Sequence, residues 1–420
     1  MDASQGLTSS EQVLSPEDVF IAVMGLTGVG KSTFVTLCTQ KEIPIGHHLE
    51  SCTSSVSIFS FQHKSQTVHL IDTPGFNDTT RSESEVLQEV AYWLSAAYGK
   101  TGTKRESRFL LNGIIYLHSI ADVRWSASTR RSLNMLQTIC GPENYDAIVL
   151  TTTFWDQVDK TTGNAREAQL LKDMNKWGQL VHGSPKSSVR RHDQGYKSAI
   201  SIVDRIMERN VKYDLLIQKE LAKPGATLYD TTAGREAQML WEKDLERFQE
   251  ELNKAKEAFD ASQRRSDTAF TNEIQSLKSS ITERKSALND LLLPKAELES
   301  RWVSRNTREV EMLERKINEC HHTIENLLKR ASTPVDGGLS LFPLRTGDES
   351  APSSSSLSTT SSSVESLLLT QERRRQKDLM AQKMAKLTAR SLYAGAAGAL
   401  FGGVSAGVSL LPYLASCSVM

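Results

Sequence analysis

The most constraining stretch of this chain is Gly25-Leu26-Thr27-Gly28-Val29-Gly30-Lys31-Ser32, because an apolar run ending at Met24 leads straight into it and a helical pattern opens at Lys31. Glycines in such a strand-to-helix turn let backbone N–H groups point inward around an anion, where a Cβ would obstruct the approach. The helix N-terminus adds its partial positive charge. Lys31 is then placed to reach terminal phosphate oxygens and the Ser32 hydroxyl to ligate Mg2+, with Thr27 in the loop and Thr33 in the first helical turn beside them. A chain built around this turn needs a sheet whose strands deliver their carboxyl ends to one rim.

The surrounding pattern supplies that sheet. Apolar runs at Val19–Met24, Val56–Phe61, Val68–Ile71, Gly113–Leu117 and Ala147–Leu150 read as strands, alternating with helical patterns at Lys31–Thr39, Glu83–Ala97, Thr129–Cys140 and Ala165–Val181. Such alternation predicts an α/β P-loop NTPase fold: a three-layer sandwich with a mostly parallel sheet, over residues 18–212, behind an N-terminal tail of residues 1–17. An α-helical coiled-coil region follows.

A second motif lies at the right separation. Val68-His69-Leu70-Ile71-Asp72-Thr73-Pro74-Gly75-Phe76 is a buried strand ending in an acid and then Pro-Gly. Asp72 there can hold Mg2+ through water, and the Gly75 N–H can meet a γ-phosphate. Thr53, in Ser51-Cys52-Thr53-Ser54, precedes the second strand, where a loop threonine either offers a further Mg2+ ligand or is a plain loop residue. Together the two motifs specify a phosphate-hydrolysing switch fold.

On Gly25–Ser32, Ser51-Cys52-Thr53, Asp72–Phe76 and Val149-Leu150-Thr151-Thr152-Thr153-Phe154-Trp155-Asp156, the first half of the chain resembles the septin-like G domains. These include the immunity-associated GTPases, the chloroplast outer-envelope import receptors and their fungal relatives, to which the likeness is greatest. The resemblance implies GTP or GDP with Mg2+ as ligand, Asp156 as the guanine-reading acid and Thr153 beside it, with Phe154 or a neighbour standing where relatives carry lysine. A carboxylate past the end of that strand is the group that selects guanine over adenine. The last base-contacting loop has candidates by order alone in His182, Gly183 and Ser184. Small GTPases orient the attacking water with a glutamine where this chain has Phe76, so slow hydrolysis is expected. Septin-like relatives pair G domains face to face, and Arg124, after the strand ending near Leu117, occupies a place from which an arginine stabilises charge in a partner's site. A solvated loop arginine is the other reading. His47 and His48 read as surface residues.

Beyond the G domain, residues 236–330 nearly lack Gly and carry a thin apolar stripe, Leu245, Phe248, Leu252, Ala255 and Phe259, then Phe270, Ile274, Leu277 and Ile281, then Val310, Leu313, Ile317, Cys320, Ile324 and Leu327. That spacing is a coiled-coil seam, and Pro294 is expected to kink it or turn it back as a hairpin. A serine-rich stretch over 332–368 reads as a disordered linker. Residues 369–390 form a basic helix with Arg373, Arg374, Arg375, Lys377, Lys383, Lys386 and Arg390, and residues 391–420 are uncharged. This last pair suits either a C-terminal anchor on an internal membrane or a helix docked on the coiled coil.

Composition adds bounds. The 50 basic and 50 acidic residues balance, so charge gives no argument for a nucleic-acid partner and none is expected. Five scattered cysteines and no basic-then-apolar N-terminus predict residence in the cytosol. Three accounts fit these motifs: a GTP switch that self-associates through its G domain or coiled coil, a scaffold in which nucleotide is a structural ligand, and an ATPase.

Overall fold

The computed structural model describes residues 17–40, 56–76, 83–96, 100–101, 104–105, 110–183, 188–261, 268–332 and 357–397. Element order is β1 (Val19–Gly25), α1 (Lys31–Thr39), β2 (Ser57–His63), β3 (Gln66–Asp72), α2 (Glu83–Ala96), the short pair β4 (Lys100–Thr101) and β5 (Lys104–Arg105), β6 (Gly113–Ser119), α3 (Ala127–Cys140), β7 (Ile148–Thr153), α4 (Lys160–Lys172), α5 (Gln179–Gly183), β8 (Ser188–Arg191), α6 (Tyr196–Met207), α7 (Leu216–Leu221), α8 (Thr232–Ala261), α9 (Thr268–Leu291), α10 (Lys295–Ser332) and α11 (Leu357–Ala397).

The sheet runs β2-β3-β1-β6-β7-β8 and is parallel except for the β2–β3 hairpin. Strand β1 shows why it is doubly covered. Its alternate residues Phe20, Ala22 and Met24 join a core cluster with Val86, Leu87 and Val90 of α2 and Leu133 and Leu136 of α3, while Val19, Ile21 and Val23 join another with Phe34 of α1 and Ile202 and Ile206 of α6. Side chains two apart share a face, so one strand feeds both layers, as the three-layer expectation requires.

Two expected boundaries shift. The helix read over Ala165–Val181 is broken: α4 ends at Lys172, and Asp173 caps a turn by accepting from the Asn175 amide before α5 begins. Strand β8 has no signal in the sequence, because Ser188-Val189-Arg190-Arg191 has neither apolar run nor clean alternation.

The helical half folds back against the sheet layers. Helix α8 packs on α3 and α9, and Asp244 on α8 accepts a two-pronged pair from Arg131 of α3 at 3.1 Å each, with Arg284 of α9 at 3.4 Å. Pro294 does end one helix before the next, its carbonyl accepting from the amides of Glu297 and Leu298, but the extended helix pairs are α8 with α9 and α10 with α11. On α10 the stripe residues Leu313 and Cys320, with Ile317 beside them, are covered by Leu379 of α11. Helix α11 begins at Leu357, inside the stretch read as linker, and continues past Arg390. Its lysines are partly committed: Lys386 is buried against Glu309 at 2.7 Å, and Lys383 meets Glu314 at 2.7 Å. It also packs on the outermost strand β2, where Ala385 joins one core cluster and Ala389 the other. Small residues there allow the helix to straddle the rim of the sheet.

Helix α10 reaches α2 through a buried carboxylate. Glu89 Oε1 accepts from Trp302 Nε1 at 2.8 Å and from the Val56 amide at 3.0 Å, and Oε2 accepts from Arg305 at 3.0 Å. The Trp302 ring packs on Tyr92 with centroids 5.3 Å apart. Among the described residues no helix is long and apolar enough to cross a membrane, and residues 398–420 lie outside them.

Candidate functional site

Parallel pairing of β1 with β3 and β6 brings three strand ends together, with Val23 opposite Asp72 and Gly25 opposite Leu117. The loop that leaves β1 needs its glycines for different reasons. Gly28 and Gly30 sit at φ +85° and +94°, in the left-handed region where a side chain is strained, and a Cβ on Gly28 would meet no atom of the described residues within 4 Å. Gly25 is a packing requirement, since a Cβ there would lie 2.5 Å from the Leu117 carbonyl oxygen. Val29 offers only its backbone, because its side chain is buried in the core. Thr33 is half-buried on the first turn of α1.

The expected polar groups converge. Ser32 Oγ donates to Asp72 Oδ2 at 2.9 Å, so both described candidates for Mg2+ ligation are adjacent. Lys31 is buried to 7% exposure, its ammonium donating to the carbonyls of Leu26 at 2.8 Å and Gly25 at 3.3 Å. Gly75 is pressed against the loop: a Cβ there would stand 2.3 Å from Thr27 Oγ1 and 2.8 Å from Lys31 Nζ. The Thr27 amide donates to the Phe76 carbonyl at 3.2 Å, and its buried hydroxyl has no hydrogen-bond partner among the described residues. An open left-handed turn, an orphaned hydroxyl, an ammonium and a Ser–Asp pair on one rim fit a phosphate with a divalent cation. The Phe76 ring is buried in the core and cannot orient water. Thr53, His47 and His48 lie outside the described residues.

Next to the loop stands the end of β7. Thr153 was expected beside the base, but its hydroxyl is buried and donates to the carbonyls of Val29 at 3.0 Å and His118 at 3.3 Å, so it braces the loop. Phe154 takes a left-handed conformation, φ 58°, and its ring is what a Cβ on Gly30 would meet at 3.7 Å. Asp156 follows, exposed, in a single turn over Trp155–Gln157. His182 and Gly183 end α5 and so precede β8, at the wrong end of that strand; Ser184 lies outside the described residues. The segment at the carboxyl end of β8 is His192–Gly195, tied to β7 by the His192 amide on the Thr152 carbonyl at 2.8 Å. Without β8, sequence order could not find it.

Arg124 is exposed in the segment between β6 and α3, beside Val123, which is 80% exposed. Arg166 of α4 holds that segment by donating to the carbonyls of Ile120 and Ala121 at 2.9 and 3.0 Å, a support no local motif announces. Behind it His118 packs against Trp125 and Trp177 at 5.4 and 5.8 Å. Burial pulls His118 down to about 4, against a smaller upward pull from Asp122. The unfolded chain therefore binds more protons between that value and the ordinary 6.5, and stability should fall by up to about 3 kcal/mol as pH drops through this window. Denaturant titrations from pH 7 to pH 4 should show this fall, with a shallower slope in His118→Phe. His69 and His192, also lowered by burial, would keep some slope in the variant.

One family comparison spans both motifs of this geometry. Residues 20–113 match the family model described as 50S ribosome-binding GTPase. The chain is 27% identical over 135 residues to GTP-binding protein A of Dictyostelium discoideum, covering 31% of this chain and 27% of that protein, so it spans about a quarter of that relative's length. Among solved structures, Toc33 from Arabidopsis thaliana in complex with Mg2+ and GMPPNP is 16% identical with TM-score 0.34, covering 47% of this chain and 88% of that one. The G domain of the T. maritima FeoB iron transporter is 16% identical with TM-score 0.27, covering 46% and 99%. A strand-loop-helix phosphate cradle, an Asp-x-x-Gly segment locked against it and a family match over both give the first half of this chain the P-loop GTPase fold, with residues 20–113 similar to that GTPase family.

Proposed function

We propose that the chain is a septin-like GTP-binding switch whose slow, Mg2+-dependent hydrolysis is governed by self-association of G domains. The observation that carries the reading is the Ser32–Asp72 hydrogen bond at 2.9 Å, with Lys31 and Gly75 packed into the same loop. Ser32 and Asp72, with Thr53, would hold Mg2+, which when bound neutralises phosphate charge. Backbone amides of residues 25–32 and the Lys31 ammonium bind the phosphates, Gly75 approaches the terminal one, and Asp156 accepts from the guanine N1–H and exocyclic amine. Slow turnover is supported by the burial of the Phe76 ring where a water-orienting side chain would be needed.

Self-association is assigned to the face carrying Arg124, because the α10 stripe is covered by α11 of the same chain. Arg124 and Val123 are exposed there at the carboxyl rim. Cytosolic residence, with residues 391–420 as a tether to an internal membrane, belongs to the same proposal on the composition of that segment.

Single-turnover hydrolysis by the full chain, followed across protein concentration, tests this. GTP decay should accelerate with concentration and lose that acceleration in Arg124→Ala. Persistence of GTP at every concentration favours the scaffold reading. Asp156→Asn should lower affinity for GTP by about 100-fold, the scale of a base-reading pair lost, and raise that for xanthosine triphosphate, whose 2-oxo group accepts from an amide. Equal affinity for ATP and GTP in the unaltered chain, unchanged by Asp156→Asn, would mark an ATPase.

A further inference from the structure

The proposed guanine-reading acid, Asp156, is exposed on a single turn that starts from a strained residue, so something other than its own contacts must fix where it stands. Phe154, at φ 58° and ψ 41°, is a non-glycine in the left-handed region, a conformation that costs about 1–2 kcal/mol and persists only where the surroundings impose it. The surroundings act on Trp155. Its Nε1–H donates to Thr152 Oγ1 at 3.0 Å, one side of its ring is met by Gly163 of α4, where a Cβ would come within 2.7 Å, and the Arg191 guanidinium lies 4.2 Å from its ring centroid.

Arg191 is itself pinned. Its Nε donates to both carboxylate oxygens of Glu167 at 3.0 Å, and an Nη donates to the same carboxylate. A planar guanidinium can stack on an indole and fork to a carboxylate at once, which an ammonium cannot. Arg191 also ends β8, opposite Thr152, immediately before His192–Gly195. One side chain thus joins α4, the turn carrying Asp156 and the start of the loop at the end of β8.

We infer that Arg191, acting through Trp155, is the positioning residue for base selection: stacked on Trp155 and forked to Glu167, it holds the Phe154–Gln157 turn so that the Asp156 carboxylate meets the guanine edge. This rests on the reading of Asp156 as the guanine-reading acid. Phosphate binding is made by other residues, at 25–32, so the two contributions separate. Loosening Arg191 should leave the affinity shared by all nucleoside diphosphates while erasing the preference among them.

The test is equilibrium binding of Mg-GDP and Mg-ADP to the full chain, unaltered and as Arg191→Ala and Arg191→Lys, beside a denaturant titration of each. In Arg191→Ala the GDP-to-ADP affinity ratio should fall by about tenfold or more, the order of one well-placed hydrogen bond, with ADP affinity within about twofold of the unaltered chain. Arg191→Lys, which keeps the charge and loses the plane and the fork, should also lose most of the ratio. A ratio unchanged in Arg191→Ala overturns the positioning role while leaving Asp156 in place, and so does an equal loss of both affinities, which marks a merely structural contact. If the unaltered chain does not prefer GDP, the reading of Asp156 fails first, and this inference with it. Should Arg191→Ala not fold, Glu167→Gln, which weakens the fork without emptying volume, is judged by the same ratio.

Discussion

Replacing Glu89 with alanine should lower the free energy of unfolding by about 3–5 kcal/mol, the usual cost of removing one partner from a buried charged pair. Glu89 is 2% exposed and receives Trp302 Nε1–H, the Val56 amide and Arg305. Truncation takes the acceptor from all of them and opens a space beneath the Trp302–Tyr92 contact. Glu89→Gln separates shape from charge: its amide oxygen still accepts from Val56 and Trp302, while its NH2 faces the Arg305 guanidinium, so a smaller loss of about 1–3 kcal/mol is expected. Denaturant melts read by tryptophan fluorescence report both numbers, and a loss under 1 kcal/mol in Glu89→Ala would show that α10 does not depend on this carboxylate. Val56 follows Thr53 by three residues in the sequence, so the same variant also perturbs the residue next to the segment proposed to hold Mg2+.

Lys31→Ala should reduce retention of Mg-GTP by about 100-fold or more, since charge-assisted hydrogen bonds are worth about 1.5–3 kcal/mol each. The ammonium is held in the mouth of the loop by the carbonyls of Gly25 and Leu26, so alanine removes a cation without removing core packing. Its melting behaviour without nucleotide should stay close to that of the unaltered chain. Equilibrium dialysis with labelled GTP measures the loss. Retention equal to that of the unaltered chain would remove the phosphate cradle from the functional account, and a collapse of the fold would mean that Lys31 serves the loop's own structure.

Local signals were readable because each is spelled in consecutive residues. The turn at Gly25–Ser32 and the strand ending at Asp72 carry their geometry in glycine spacing and in an acid after an apolar run, and the Ser32–Asp72 bond follows once β1 and β3 pair in parallel. What escaped depends on residues far apart. Strand β8 is polar and only Ser188–Arg191 long, so it declares itself through pairing with β7. Arg191 and Glu167 are an unremarkable surface pair until Trp155 comes between their elements. Thr153 looked like a ligand because of its place in a motif, yet its hydroxyl turns inward to Val29. The stripe over Val310–Leu327 was legible as a helix face, but a stripe does not name its cover, and α11 supplies it from within the chain.

Helix α11 beside β2 has a consequence for how copies of the protein can meet. An outermost strand left bare offers a row of amides and carbonyls to any foreign strand, the usual start of sheet-to-sheet aggregation. Here a helix straddles that border through Ala385 and Ala389, and the opposite border is the short, doubly cationic Ser188-Val189-Arg190-Arg191. Among the described residues neither flank invites a strand to zip on, so the self-association proposed above has to join side-chain faces rather than extend the sheet.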